Sequence, residues 1–561
     1  MKKFQSIVLV VLMSLLLAAC PPEETPDGIA VAFTDLTQDG SQTVITTRLT
    51  LIFDKDITGL TAEDIAFDAG STGAVKGTLT RAGAGYRLNV SGITETGTVS
   101  VGVSKSGYTI TPNERQTTVY FPNTYTVSFD VDGGLPQHEN LTVIHGSTLK
   151  RPLGPQKTGV IFYDWYQDEA FTTLWNFIED TVTDNITLYA RYINASELDD
   201  RSAFDFFQTE GISIGWNLGN SLDSPREETG WGNPVINQAI MNGVKDAGFN
   251  IIRIPVTWGY NIGPAPDYTI NETYMERVAE VIDYAKEAGF KAAIINIHHD
   301  GNQRETDPFW LSINEARGSD AGYENVTGKF TAVWRQIADY FRDYDTFLMF
   351  ESFNEIHDGG WGWNMQEPAA RQFEIIDSWN QIFTDIVRQN GSYNAVRFLV
   401  IAGYYKRVHR YTEEFFTLPE DSAPGKQIVS FHYYNPEAFS LRGTQRGQGA
   451  NAYWWGTEDD LALPANEFML FKERFINNKI PVIIGEMGPV QSRNVAGDPY
   501  RRDFVSHVYK QAKDYGLVPV YWDNGRFDRE GDGFGLFNRT TGQPQTEEFG
   551  AVIRAMVEAV N

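Results

Sequence analysis

Eight apolar runs, separated by stretches of helical period, constrain this chain more tightly than any other feature of it, and they fill residues 195–561. The runs are GISIGWN, FNIIRIPV, KAAIINIHH, TFLMFESFNE, AVRFLVIAG, QIVSFHYY, IPVIIGEMG and GLVPVYWDN. Between them lie segments such as YMERVAEVIDYAKEAG and FKERFINNK, whose apolar residues recur at helical spacing. A strand buried on both faces reads as one continuous apolar run, because helices cover both sides of a parallel sheet. Eight such strands alternating with helices predict a (β/α)8 barrel. A doubly wound open sheet is the competing topology; it requires no regular eightfold alternation, and no GxGxxG phosphate loop follows the first run.

The run FLMFESFNEIHDG, from Phe347 to Gly359, stops in Glu351, Asn354 and Glu355, groups that cost several kcal/mol to bury without partners. It is not alone. Other runs close on Asn217, Arg253, His298 with His299, His432 with Tyr434, Glu486 and Trp522. A barrel brings the carboxyl ends of all its strands to one face, which is where barrel enzymes carry out chemistry. One polar strand end is ordinary; their convergence predicts a site.

Glu355 and Glu486 end the fourth and seventh runs and face each other across the predicted mouth. A pair of carboxyl groups flanking a substrate is what acetal hydrolysis requires, one protonated to release the leaving oxygen and one ionised to attack. Arg253 in the same mouth can hold one carboxylate anionic, while the charge of that partner raises the pKa of the other. Trp522 offers a flat apolar face to a sugar ring and Asn354 an amide to a hydroxyl. Glu351 lies deeper in the same run and is read as a buried hydrogen-bonding group.

Before the barrel, residues 29–121 show short alternating runs such as TRLTLIF, YRLNVSG and TVSVGVS between turn signals, which predicts a small β-sandwich of immunoglobulin type. Residues 123–193 form a second short β unit, and both units read as spacers, with Trp165 and Trp175 open to either core packing or sugar stacking. The fold class is thus multidomain, a (β/α)8 barrel preceded by two small all-β modules. The start, MKKFQSIVLVVLMSLLLAAC, has the charged, apolar and small-residue order of a secretory signal over residues 1–20, followed by a polar tether at 21–28. The net charge of −27 opposes nucleic-acid binding, since such a surface repels phosphate backbones.

Three resemblances add to this reading. Leu17-Ala18-Ala19-Cys20 resembles the lipobox of bacterial lipoproteins, and Cys20 is the only cysteine, which implies lipid attachment there and a place on the bacterial cell surface or in the periplasm. YTVSFDVDGG, FYDWYQDE and NITLYARY make the second unit resemble the Listeria–Bacteroides repeat of bacterial surface proteins. GWNLGNSLD, NIIRIPVTW, INIHHDG, FESFNE, HYY, IGEMG, YWDNG and FGLFNR resemble glycoside hydrolase family 5, and most closely its subfamily 4.

That last resemblance implies a retaining endo-β-1,4-glucanase acting on cellulose, mixed-linkage glucan or xyloglucan; separately, a monomer with no cofactor or metal is expected. Glu355 would be the acid/base and Glu486 the nucleophile, their carboxyl groups about 5–5.5 Å apart. Arg253 and Tyr434 would orient Glu486, His432 would sit beside the acid/base, Asn354 would bind the 2-hydroxyl, and Trp522 would form the floor. Asn217, His298 and His299 would line the same subsite. Trp231, Trp361, Trp363, Trp454 and Trp455 follow strands and are open to stacking or packing, and the segment around Asp528 is read as a surface loop. The alternatives are a mannan- or glucomannan-cleaving member of the family, a zinc hydrolase built on His298, His299, His432 and Glu355, and a non-catalytic glycan-binding surface protein.

Overall fold

Parallel strands held between helices dominate the computed structural model, which describes residues 28–177, 179–301, 310–357, 370–441, 455–491, 499–527 and 533–561. Cys20, Trp361, Trp363, Trp454 and Asp528 lie outside the described residues. Among the described residues no helix is long and apolar enough to cross a membrane.

The first module contains β1 (Ile29–Gln38), β2 (Arg48–Phe53), β3 (Ile65–Asp68), β4 (Val75–Ala82), β5 (Gly85–Ser91), β6 (Gly97–Val103), β7 (Tyr108–Thr111) and β8 (Glu114–Val119). They form a five-stranded sheet in the order β4-β5-β2-β1-β7 and a three-stranded sheet in the order β3-β6-β8. Alternate residues such as Leu49, Leu51 and Phe53 of β2 are buried in one apolar core, the period-2 signature of a sheet with one covered face. The second module, β9 (Thr124–Asp130), β10 (Leu141–Ile144), β11 (Ile161–Tyr166) and β12 (Ile186–Ile193), is a four-stranded sheet in the order β10-β9-β12-β11. Trp165 and Trp175 are both buried, so the choice left open between core and sugar platform falls to core.

The described residues divide into two units: 28–128 with Glu139–Arg151 and Trp175–Thr187, and Phe129–His138 with Pro152–Leu174 and the described part of Leu188–Asn561. In the second of these, Asp164 of β11 forms a buried ion pair with Arg342, and Gly154 N–H donates to the Gln389 carbonyl at 2.6 Å.

The barrel strands are β13 (Gly215–Leu218), β14 (Ile251–Ile254), β15 (Ala292–Asn296), β16 (Leu348–Glu351), β17 (Leu399–Ala402), β18 (Gln427–Tyr433), β19 (Val482–Met487) and β20 (Leu517–Asp523), closed in that order. Seven fall wholly within the apolar runs, and β13 extends one residue past GISIGWN, to Leu218. The helices are α1 (Ala203–Glu210), α2 (Gln238–Asp246), α3 (Glu272–Glu287), α4 (Ile313–Gly318), α5 (Asp320–Tyr340), α6 (Ala370–Gln389), α7 (Glu437–Ser440), α8 (Glu458–Arg474), α9 (Pro499–Tyr515) and α10 (Glu547–Val560). α3 shows how they form: the Asn271 side chain accepts from Tyr274 N–H to cap its start, and Met275, Val278, Ala279, Ile282 and Ala285 recur on one buried face.

Strand alternation sorts the barrel residues into two sets. Ile252, Ile254, Leu348 and Phe350 point outward into the core shared with the helices, whereas Ile251, Ile294, Met349, Ile428, Val518 and Val520 fill the interior. Phe206 and Phe207 of α1 belong to that interior cluster, and Phe206 packs on Phe398 with ring centroids 4.7 Å apart. Two residues further along five of the strands the interior side chain becomes polar or aromatic: Ile251 gives way to Arg253, Ile294 to Asn296, Met349 to Glu351, Ile428 to Ser430, Val520 to Trp522. An apolar plug therefore closes one end of the barrel and a polar layer lies toward the other.

Candidate active site

Arg253 is the hub of the polar layer and is fully buried. Its Nε donates to Glu351 Oε2 at 2.8 Å, its Nη1 to Glu486 Oε1 at 2.8 Å and to Asn217 Oδ1 at 3.0 Å, and its Nη2 to Asn354 Oδ1 at 2.8 Å. A guanidinium holds planar donors in a fixed fork, so this one side chain sets the mutual position of residues from β13, β14, β16 and β19. Asn354 spends its oxygen on Arg253, which leaves its NH2 as the group it can present to a ligand.

Glu486 faces inward because β19 carries a bulge. Ile483 points to the interior and Ile484 to the outer core, so simple alternation would turn Glu486 outward. The pairing with β18 slips instead, from Phe431 opposite Ile484 to His432 opposite Glu486. Gly485 is the extra residue, and a Cβ on it would come within 2.6 Å of Ser430 Oγ. Asn217 Nδ2 donates to the Gly485 carbonyl at 2.8 Å and so holds the bulge. A glycine inside the apolar run VIIGEM is the sequence signal for it.

Glu355 does not belong to the strand at all. β16 ends at Glu351, earlier than the apolar-to-polar run suggested, and the following segment is irregular, anchored where Asn354 N–H donates to the Ile297 carbonyl at 2.9 Å. Glu355 Oε1 lies 2.6 Å from His432 Nδ1, and Glu486 Oε2 lies 3.6 Å from the same nitrogen. A carboxylate oxygen of each glutamate and a ring nitrogen of His432 all fall within 4.8 Å of one another. The Tyr434 hydroxyl donates to Glu486 Oε2 at 3.1 Å.

The electrostatics of the two carboxyls differ. Burial pushes Glu355 up, the Glu486 charge adds to the rise, and the group reaches about 8. Burial also raises Glu486, but Arg253, Lys406 and the Tyr434 hydroxyl oppose it, so of the coupled pair Glu355 keeps the proton and Glu486 the charge. Burial holds the His432 and His298 imidazoles well below their ordinary range, so both are neutral. Tyr434, buried and facing two carboxyls, is raised well above the ordinary phenol range and remains a donor.

One wall is aromatic. Trp522 is partly exposed at the end of β20, and the His298 ring stacks on it at 5° and 5.7 Å between centroids. His299 meets His298 edge to face at 4.3 Å, Trp231 packs edge-on against His299 at 5.2 Å, and His299 Nε2 lies 3.5 Å from Asp223 Oδ2. Trp231 is therefore beside the site, whereas Trp455 is buried against Phe504 at 5.5 Å, which gives it a packing role. His298 and His299 gather with Asp223, and His432 and Glu355 gather with Glu486. The four ligands that a zinc hydrolase would need are split between two places.

All ten polar and aromatic residues proposed from the strand ends, Asn217, Arg253, His298, His299, Asn354, Glu355, His432, Tyr434, Glu486 and Trp522, border this one mouth. Lys406, Ser430, Asn296 and Asp223 were not singled out in the sequence, although the first three contact the buried network directly. Lys406 donates to Glu351 Oε1, and burial lowers its ammonium to about 8.

Residues 208–528 match the cellulase family, glycosyl hydrolase family 5, and residues 125–191 match the Listeria–Bacteroides repeat domain. Endoglucanase A of Paenibacillus barcinonensis is 36% identical over 371 residues, covering 62% of this chain and 88% of that protein. A xyloglucan-specific endo-beta-1,4-glucanase of Bacteroides ovatus is 30% identical over 401 residues, covering 67% of this chain and 74% of that one. Among solved structures, a GH5-4 broad specificity endoglucanase from Bacteroides salanitronis is 38% identical with a TM-score of 0.57, covering 62% of this chain and 93% of its own. A family 5 xyloglucanase from Paenibacillus pabuli is 33% identical with a TM-score of 0.56, covering 63% and 100%. With a barrel, a paired-glutamate mouth and a family match over more than half of its length, this chain belongs to glycosyl hydrolase family 5 and is a glycoside hydrolase whose relatives are endo-β-glucanases.

Proposed function

We propose that the barrel is a retaining endo-β-1,4-glucanase in which Glu486 is the nucleophile and Glu355 the acid/base. The observation that carries this reading is the pair of carboxylate oxygens within 4.8 Å of one another in unequal surroundings. A water-activating, inverting pair stands about 6.5–9.5 Å apart, whereas retaining pairs stand at about 5–5.5 Å. In the first step a Glu486 oxygen attacks the anomeric carbon as the glycosidic bond breaks, and the Glu355 proton passes to the departing oxygen. In the second, Glu355, now ionised, takes a proton from water, and that water displaces Glu486. Arg253 and Tyr434 hold the Glu486 charge, Asn354 offers its NH2 to the 2-hydroxyl, and the open face of Trp522 supports the ring at the point of cleavage, with Asn217, His298 and His299 around it.

The substrate class is a plant cell-wall β-glucan. The relatives that resemble this chain include broad-specificity, cellulose-directed and xyloglucan-directed enzymes, and one structural relative is described with cellotriose bound. The test is digestion of carboxymethylcellulose, barley β-glucan, xyloglucan and glucomannan with Glu486→Ala as control, followed by proton NMR of the first products. Retention of the β-anomer with an inactive control supports the reading; an α-anomer or an active control defeats it. The same reading attaches the enzyme to a bacterial membrane through Cys20, supported by the Leu17-Ala18-Ala19-Cys20 motif. Fatty-acid labelling of the full chain that persists in Cys20→Ser would refute that attachment.

A further inference from the structure

Among the described residues, the floor of the site holds an ion pair that the hydrolysis above does not use, Glu351 with Lys406. Lys406 follows β17, the strand whose apolar run ends without a polar group, and it is fully buried. The chain turns there through Tyr405 and Lys406, both with left-handed backbone at φ 53° and 49°. Two successive non-glycine residues hold that conformation only where the surroundings impose it, and such sites cluster where function needs a particular geometry.

Lys406 Nζ donates to Glu351 Oε1 and to Ser430 Oγ at 3.3 Å. The other oxygen of the same carboxylate accepts from Arg253 Nε at 2.8 Å and from Asn296 Nδ2 at 2.7 Å. Glu351 is thus divided between two cations, one at each oxygen, and Arg253 is divided between Glu351 and Glu486. We propose that Lys406 is a positioning residue for the hydrolysis: by taking one oxygen of Glu351 it supplies that carboxylate's countercharge and leaves the Nη1 edge of Arg253 to the nucleophile. This rests on Glu486 being that nucleophile.

The charges involved can be followed through. Glu351 meets Arg253 from β14, Asn296 from β15 and Lys406 beyond β17, and Lys406 in turn meets Ser430 from β18. Glu486 meets Arg253, the Tyr434 hydroxyl, neutral His298 and His432, and Glu355. With Glu355 protonated, the two cations offset the two carboxylates. Without Lys406, one guanidinium serves two buried carboxylates, and the nucleophile takes up a proton at higher pH.

The test is kcat/KM against pH for the full chain on the polymer that wild type cuts best. Lys406→Met should move the acid limb upward by about 1 pH unit, since loss of a neighbouring charge shifts a carboxyl by about that much. Lys406→Arg should stay with wild type, and the charge-balanced Glu351→Gln/Lys406→Met should return at least half of the shift. A folded Lys406→Met with an unmoved acid limb overturns the proposal, as does a double variant displaced as far as the single. If Lys406→Met does not fold, the double variant decides, because it leaves no unpaired charge in the floor: an acid limb near wild type supports the proposal, and one displaced by a full unit ends it. Glu486→Ala in the same series separates the two levels, since activity in that variant defeats the nucleophile assignment itself.

Discussion

In the floor of the barrel Glu351 accepts from Arg253, Lys406 and Asn296 and is wholly shut from solvent. At the mouth, four residues along the same segment, Glu355 faces a neutral histidine and a second carboxyl, with 30% of its side chain open. Burial alone would raise both. Against that rise, Arg253 and Lys406 pull Glu351 down to about 2, while nothing comparable opposes it at Glu355, which rises to about 8. Burial does not make an acid catalyst; what decides the protonation state is whether a cation shares the burial. The fold needs the ionised carboxyl to seat Arg253, and the proposed reaction needs the protonated one.

The comparison breaks first at the proposed nucleophile. Glu486→Ala should lower kcat on the order of 10⁴–10⁶-fold with the fold intact by circular dichroism, as removal of a nucleophile does elsewhere. Glu355→Gln should cost less, about 10²–10⁴-fold, and should abolish the alkaline limb of the pH profile, because activity is lost as pH rises through the acid's own pKa. Stability separates floor from mouth. Glu351→Gln leaves Lys406 and one edge of Arg253 buried without countercharge and should cost about 3–5 kcal/mol, read from the denaturant midpoint. Glu355→Gln should not weaken the fold, and its advantage over wild type should grow with pH. The folded protein binds the Glu355 proton more tightly than the unfolded chain does, so its contribution falls as pH rises from the ordinary glutamate range to about 8. Glu351 has the opposite sign: its contribution is present above the ordinary range and is lost as pH falls toward about 2. The smallest effect is at the rim, where Trp231→Ala should raise KM roughly fivefold, about 1 kcal/mol, with kcat little changed.

Most of the mouth could be read in the sequence because a parallel strand buried on both faces is apolar until it reaches the site. Arg253 in NIIRIPV and Glu486 in VIIGEM are conspicuous for that reason. Lys406 was invisible because its run, AVRFLVIAG, ends in glycine, and the lysine arrives later through a turn that no periodicity encodes. The inward aim of Glu486 depends on a bulge that the residue pattern hints at only through Gly485. Tryptophans were the least legible: Trp165, Trp175 and Trp455 are core and Trp231 borders the site, yet in sequence all are large amphipathic rings in short segments.

Carbon-13 NMR titration of the Glu355 carboxyl, assigned by its loss in Glu355→Gln and repeated in Glu486→Gln, tests most directly the claim that cation pairing sorts these carboxyls. Titration near 8 in wild type, falling by about a unit once the Glu486 charge is removed, is the expected result. A Glu355 that titrates in the ordinary glutamate range, or that ignores the loss of Glu486, would contradict it.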